Sequence, residues 1–184
     1  MTVIISSQIP TGVVTQLPSQ ATVGDQVIYA ADATNGVYWN LYYDGIEPYP
    51  WKFVGGAHLA SLAGVTEATT SNSYVALATA GPVITLPLAG DYDVTVSCDA
   101  ANVVGTTYAG VMSYDVGAGV ANDFWGAWSL VVGPGYGNTT TYTYRHAGLV
   151  ASTTLTSKYR SPQSVQIYFS RRRISATPIR VKAA

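Results

Sequence analysis

The sequence predicts an all-β chain in two parts. A small three-stranded antiparallel meander comes first, then an antiparallel β-sandwich, with a jelly roll as the expected type. Three observations predict it. Between Gly24 and Gly56, β-branched and aromatic runs are cut by the turn signals Thr34-Asn35-Gly36 and Asp44-Gly45. From Tyr74 onward, eight or nine strand-like runs follow at short spacing, separated by Gly, Pro and Asp turn signals. No strand–helix–strand alternation and no solenoid-length repeat interrupts them.

Residues 1–23 carry Pro10, Gly12 and Pro18 and little charge, and read as an extended lead-in. They suit an attachment arm that wraps a neighbour or adds an edge strand, or a frayed terminus. Residues 24–56 are the meander. Its strands are Val27–Ala31, Val37–Tyr43 and Tyr49–Val54, with a type I′ turn expected at Asn35-Gly36. Alternation places Tyr38, Asn40 and Tyr42 on one face and Val37, Trp39, Leu41 and Tyr43 on the other. With Tyr49, Trp51 and Phe53, the meander holds seven aromatics between Tyr38 and Phe53. Tyr38, Trp39, Tyr42, Tyr43, Trp51 and Phe53 are therefore candidates for docking or for facing a ligand. A sheet this thin cannot shield both faces, so one packs on the rest of the chain or on a partner. The sharper alternative is a sugar-stacking platform.

Residues 57–73 are small and Ser/Thr-rich and read as a linker. Residues 74–184 form the sandwich. Its expected strands are Tyr74–Ala78, Val83–Leu86, Tyr92–Ala100, Thr106–Val116, Asn122–Val132, Thr139–Tyr144, Leu149–Thr156, Val165–Arg173 and Ile179–Val181. Gly133 to Gly137 is expected as a loop.

Only 10% of residues are charged, against roughly a quarter in ordinary soluble domains. Thr, Ser, Asn, Gly and Tyr take their place, which suits a surface buried in an assembly. The charge is also segregated. All 10 acidic side chains lie in residues 1–144, with Lys52 as the one basic residue there, and residues 145–184 carry eight basic residues and no acidic one. A basic end permits nucleic-acid contact. These residues sit in strand-like runs, however, so pairing with acid-rich earlier strands, within or between subunits, is the simpler account, and no nucleic-acid partner is expected. The candidate interface charges are Arg171, Arg172, Arg173, Asp91 and Asp93. Arg171 and Arg173 are expected to share a face with Phe169, and Arg172 to face the other way.

Catalytic patterns are missing. His58 and His146 show no metal-binding spacing, and there is no GxSxG nucleophile turn. Asp91 and Asp93 fit a glycosidase carboxylate pair or part of a calcium site. The role of Asp after Gly as a turn former is the commoner one. Cys98 is expected as a buried free thiol. No enzyme activity, cofactor or metal is assigned. Met1-Thr2-Val3-Ile4-Ile5 lacks a signal-peptide pattern and no apolar run reaches membrane-helix length. Synthesis in the cytoplasm and no membrane insertion are expected.

Several blocks carry a resemblance. They are Leu17-Pro18, Gly24 to Asp32, Asn35 to Leu41, Tyr43-Asp44-Gly45 and Trp51 to Gly56, with Phe169 to Val181 at the far end. Together they resemble virion proteins of tailed bacteriophages, especially those of actinobacterial phages. The resemblance covers roughly 17–56 and 165–182. It implies a structural virion protein of the minor tail, tail-fibre or head-fibre kind, located in the virion, with other virion proteins as partners and no catalytic residues. The sandwich also resembles the trimeric jelly rolls of the tumour-necrosis-factor and complement-C1q type. That implies a homotrimer that docks by its N-terminal part. The exposed sandwich would then cover a capsid or bind a host-surface glycan. A carbohydrate-binding module is the alternative from another class.

Overall fold

The structure, a computed structural model, describes residues 12–103, 106–132 and 137–183. The expected arm of residues 1–23 lies partly outside these residues, and so does most of the expected loop of 133–137. Thirteen strands are described: β1 (Val13–Val14), β2 (Gln26–Asp32), β3 (Val37–Tyr43), β4 (Trp51–Gly56), β5 (Leu59–Ala63), β6 (Glu67–Thr69), β7 (Val83–Thr85), β8 (Ala89–Asn102), β9 (Thr107–Val116), β10 (Ala127–Val132), β11 (Asn138–Leu149), β12 (Thr154–Arg160) and β13 (Ile167–Lys182). One 3-10 turn, Asp123–Trp125, is the only helical element among the described residues.

Two sheets result. The larger runs β1-β2-β3-β4-β13-β8-β11, with β5 and β6 also paired to β13; the smaller runs β10-β9-β12-β7. From β5 onward this is jelly-roll connectivity. The last strand, β13, lies between the first strands and β8, and the chain crosses between sheets at β6–β7, β7–β8, β8–β9, β10–β11, β11–β12 and β12–β13. The protein is thus an all-β jelly-roll sandwich with a meander added to one sheet.

The long strand β13 organises the larger sheet. One edge pairs with β8 along its length. The other edge is covered end to end by three short strands: β6 opposite Ile167–Phe169, β5 opposite Arg172–Ala176, and β4 opposite Arg180–Val181. The stretch 57–73 is therefore not a linker but supplies β5 and β6. Small Ser, Thr and Ala residues fit there because the strands are short and half-exposed. Val165–Arg173 and Ile179–Val181 are likewise one strand. Pro178, which has no N–H, is accommodated by a register shift between Pro178 and Arg180.

The β8 strand shows why the sheets face each other. Tyr92, Val94, Val96, Cys98 and Ala100 are buried, while the alternate residues Asp91 to Asp99 face out. The strand begins at Ala89, so Gly90-Asp91 lies inside it rather than forming a turn. A Cβ on Gly90 would run into the Arg180 carbonyl oxygen of β13, which fixes glycine at this close approach.

The meander shares this core. Trp39 is fully buried, with ring centroids 5.9 Å from Tyr29, 6.5 Å from Phe53 and 6.2 Å from Tyr92 of β8. The β2–β3 turn is not type I′, because Gly36 has φ +71° while Asn35 stays at negative φ. Instead Asp32 accepts from the Asn35 N–H (3.2 Å) and side-chain amide (2.6 Å), and Gly36 N–H donates to Ala33 O. This is a four-residue loop tied by an Asx contact.

Three other boundaries moved. Tyr74–Ala78 is not a strand; it makes a single bridge, Val75 to Tyr159. Asn122–Val132 is broken, because Asn122 caps the 3-10 turn through a bond from Phe124 N–H (3.0 Å). The strand expected at Leu149–Thr156 begins at Thr154 instead. With these shifts, Ser71 to Tyr74 and Ala121 to Asp123 lie over the outer face of the smaller sheet. Ser161 N–H donates to Ser71 O (2.6 Å) and the Ser113 hydroxyl to Asn122 O (2.7 Å).

Candidate functional site

The six candidate aromatics divide. Trp39 and Trp51 are 0% and 1% exposed. Tyr43 packs against Trp51 at 5.1 Å and Phe53 edge-on to Trp39, both half-buried. Only Tyr38 and Tyr42 face outward from β3. The tryptophans cannot stack on a sugar, because their faces are in the core.

The charges find partners within the chain. Arg145 forms a fork with Asp93 (2.8 and 2.9 Å), Lys158 reaches Asp115 (3.3 Å), and Arg160 reaches Asp123 (2.6 Å). Arg171 pairs with Asp99, Arg180 with Asp44, and Arg172 lies 3.6 Å from Glu67. Each pair joins the basic end of the chain to the acidic part, as the segregation suggests, and each is internal to one subunit. Asp91 accepts from Gly148 N–H (2.9 Å) where β11 slips register. Asp91 and Asp93 are thus both engaged in holding β11. Exposed pairs of this kind stabilise by only about 0–1 kcal/mol each. Their main effect is on which strands meet.

The arginine run departs from simple alternation. A bulge lies between Ser170 and Arg173, with Arg171 at φ +45°. Beyond it the phase is reversed. Arg172, not Arg171, shares the inner face with Phe169, and Arg171 and Arg173 point out. Arg172 is fully buried, its guanidinium 5.5 Å from the Tyr159 ring centroid, and its nitrogens make no hydrogen bond among the described residues. Arg173 donates to His58 Nε2 (2.7 Å). His146 lies elsewhere, boxed by Tyr114, Trp125 and Tyr144, with the Tyr114 hydroxyl 2.7 Å from its Nε2. Burial pulls its pKa below the ordinary histidine value. Burial likewise pushes the Cys98 thiol up to about 12, so it is an inert core residue. Among the described residues no group of three or more His, Cys, Asp or Glu side chains is placed to hold a metal ion.

A polar cleft that the sequence reading did not single out lies on the outer face of the smaller sheet. It has a volume of about 260 Å³ and is lined by Asn72, Ser73, Tyr74, Asn122, Asp123 and Arg160. The Arg160 guanidinium carbon sits 5.3 Å from the Tyr74 ring centroid and 5.2 Å from that of Trp128. Its Nη2 donates to Asp123 Oδ2 (2.6 Å), and the Tyr74 hydroxyl donates to Asp123 Oδ1 (2.7 Å). Burial, then the bond to Asp123, pushes the Tyr74 phenol far above its ordinary pKa, so it stays a donor. Beside it Phe124 is 80% exposed and Trp128 46% exposed. The signal for this site was Asn122-Asp123 ahead of three aromatics in five residues, a capping pattern that breaks a strand. Two larger clefts, of about 500 and 490 Å³, lie near Asp32 and near Leu17; the first is also polar, lined by Asp32, Asn35, Ser61, Thr85 and Ser152, but neither contains an arginine.

No protein-family profile and no curated protein matches the chain. Among solved structures, a xylan-binding CBM22-1 domain of Paenibacillus barcinonensis Xyn10C aligns at 16% identity and TM-score 0.33, over 90% of this chain and 100% of that one. The CBM22-1–GH10 modules of Clostridium thermocellum xylanase 10B, complexed with xylohexaose, align at 17% and 0.35, over 68% and 27%. A chain of infectious bursal disease virus, Gx strain, aligns at 12% and 0.40, over 89% and 41%. This chain spans well under half of the last two. Similarity at this level carries nothing about ligand or role.

Proposed function

We propose that this chain is a non-enzymatic structural component of a tailed-phage virion, of the minor tail or fibre kind. It docks through the outer face of the meander, displays the jelly roll, and associates as a trimer. One observation carries the reading. The two sequence blocks that resemble phage virion proteins, 17–56 and 165–182, are adjacent in space: β4 pairs with β13, and Arg180 pairs with Asp44 and donates to Tyr49 O (3.0 Å). They build one sheet unit whose inner face is welded to the jelly roll by Trp39. Together with the adjoining strand β5, its strands and turns leave Tyr38, Ile46, Val54 and Leu62 exposed. Burying such residues supplies about 25 cal/mol per Å² of apolar area removed from water.

Light scattering on the intact chain tests the self-association. A three-chain mass at micromolar concentration supports the trimer. A one-chain mass removes it and leaves decoration of a pre-formed lattice. Incorporation into particles tests the docking: Leu62→Glu with Val54→Lys is expected to leave the melting temperature unchanged and abolish incorporation.

A further inference from the structure

The cleft around Asp123 has three properties together. Its carboxylate is held rigidly, with one oxygen accepting from Tyr74 and the other from Arg160. A carboxylate offers about four acceptor positions, so each oxygen keeps one for a ligand. Asp123 is 49% exposed while Arg160 is 17% exposed, so the group a ligand meets first is the acceptor. Arg160 itself is clamped between two rings and by its bond to Asp123, and it loses little freedom when the cleft is filled.

A donor lines the same cleft, and an apolar side chain follows the acceptor in the chain, outside the lining itself. Phe124 follows Asp123 directly, on a turn held by the Asn122 cap, and the residue is 80% exposed. A phenylalanine presented this way on a structured turn loses hydrophobic stabilisation in the free chain. Asn122 uses its Oδ1 on the Phe124 N–H, which leaves its amide NH2 as a donor on the cleft wall.

We propose that this cleft binds a neutral terminal sugar ring of a surface glycan, with Asp123 accepting from a vicinal pair of hydroxyls, Asn122 donating to a third oxygen, and Phe124 lying against the C–H face of the ring. Sugar rings carry hydroxyls on the rim and C–H bonds on the faces, so a site for one needs polar groups and an apolar side chain close together, and this short turn carries both. The cleft volume of about 260 Å³ lies just below the roughly 300–1,000 Å³ of drug-sized ligand sites. It therefore suits one ring rather than a buried chain. Arg160 is committed to Asp123 and mostly buried, so the cleft offers no free cation to an acidic sugar. A stable protein partner covers about 800 Å² per side, much more than this cleft presents. The proposal rests on the display half of the function proposed above and not on the docking half.

The test is saturation-transfer NMR on the intact chain with the methyl glycosides of glucose, galactose, mannose and arabinose, and with methyl glucuronoside as the acidic probe. The expected result is transfer to at least one neutral glycoside and none to the glucuronoside. Transfer falls at least tenfold in Phe124→Ala and in Asp123→Asn and is unchanged in Tyr38→Ala. Phe124→Ala, at an exposed site, keeps the fold if Asp123→Asn does not. No transfer to any neutral glycoside overturns the proposal, as does preference for the glucuronoside or full transfer in Phe124→Ala. A drop in the light-scattering mass of Phe124→Ala also overturns it, since the patch would then be a contact between copies. Absence of sugar binding by the unaltered chain, with particle incorporation intact, rejects this site alone. Loss of incorporation in Leu62→Glu with Val54→Lys, sugar binding intact, concerns only the docking face.

Discussion

The meander and the Ala121–Trp128 segment are the two aromatic-rich stretches of this chain, and they use their rings in opposite ways. In the meander the tryptophans are core. Trp39 and Trp51 face inward on strands whose other face is solvated, and Trp39 touches the jelly roll through Tyr92. In Ala121–Trp128 the chain leaves strand geometry for one 3-10 turn, and Phe124 and Trp128 remain at the surface. Aromatic density alone does not distinguish a core from a binding surface. Strand alternation buries every second ring, whereas the capped turn presents Phe124 outward and packs Trp125 inward against Tyr114 and His146.

The most severe way to break this comparison is truncation. A fragment of residues 72–184 lacks β4, β5 and β6 and bares one whole edge of β13. Unpaired edges of this length are aggregation sites, and this fragment is expected to lose the cooperative thermal transition of the full chain. A soluble fragment with the parental transition would show that the meander is an independent unit.

Trp39→Ala comes next. It is expected to cost about 3–5 kcal/mol, read as a fall in the denaturant midpoint. No binding function should be lost separately from folding. Trp51→Ala should behave alike.

Arg172 gives a smaller and signed effect. Replacing a buried charge by an apolar residue of similar size is often neutral or stabilising by about 1–4 kcal/mol. Arg172→Met is therefore expected to hold or raise the melting temperature. Glu67→Gln should lower it, and the double variant should restore it. A large loss in Arg172→Met would show that the charge is needed where it lies.

Acid should act in two stages. His146 has a folded pKa below its unfolded value of about 6.5, so the unfolded chain binds its proton first. Its contribution is full above that pH and is lost as pH falls below it. The pKa values of Asp44 and Asp99 are lowered in the folded state. Arg180 beside Asp44 lowers the first; at Asp99 the bonds from Thr139 and Arg171 outweigh the rise from burial. That contribution is present above the ordinary carboxylate range and is lost as pH falls through the lowered values. Melting temperature against pH should show both stages, and His146→Gln should remove only the upper one.

The smallest stability effect sharpens the comparison most. Phe124→Ala is expected to change stability by no more than about 0.5 kcal/mol, read in the same denaturant titration. A change near that of Trp39→Ala would make Phe124 a packing residue rather than a presented one.

Much of this was legible in the residues. Alternation along β3 placed Val37, Trp39 and Leu41 on one face, and they are buried. Segregation of charge placed the basic end beside the acidic part, and the ion pairs join them. Both are local or compositional facts, because side-chain parity is a property of any extended strand and opposite charges must meet somewhere. What only the tertiary structure decided depends on neighbouring strands. The bulge at Arg171 reverses the parity beyond it and turns Arg172 into the core. The edge of β13 recruits Leu59–Ala63 and Glu67–Thr69 into strands that composition alone does not announce. The cleft joins Tyr74, Asp123 and Arg160, which are far apart in sequence and meet because Asn72 to Tyr74 and Ala121 to Asp123 cross the same sheet face. Bulges, edges and clefts arise from which strands lie side by side, and pairing partners over such separations are set by the packed whole.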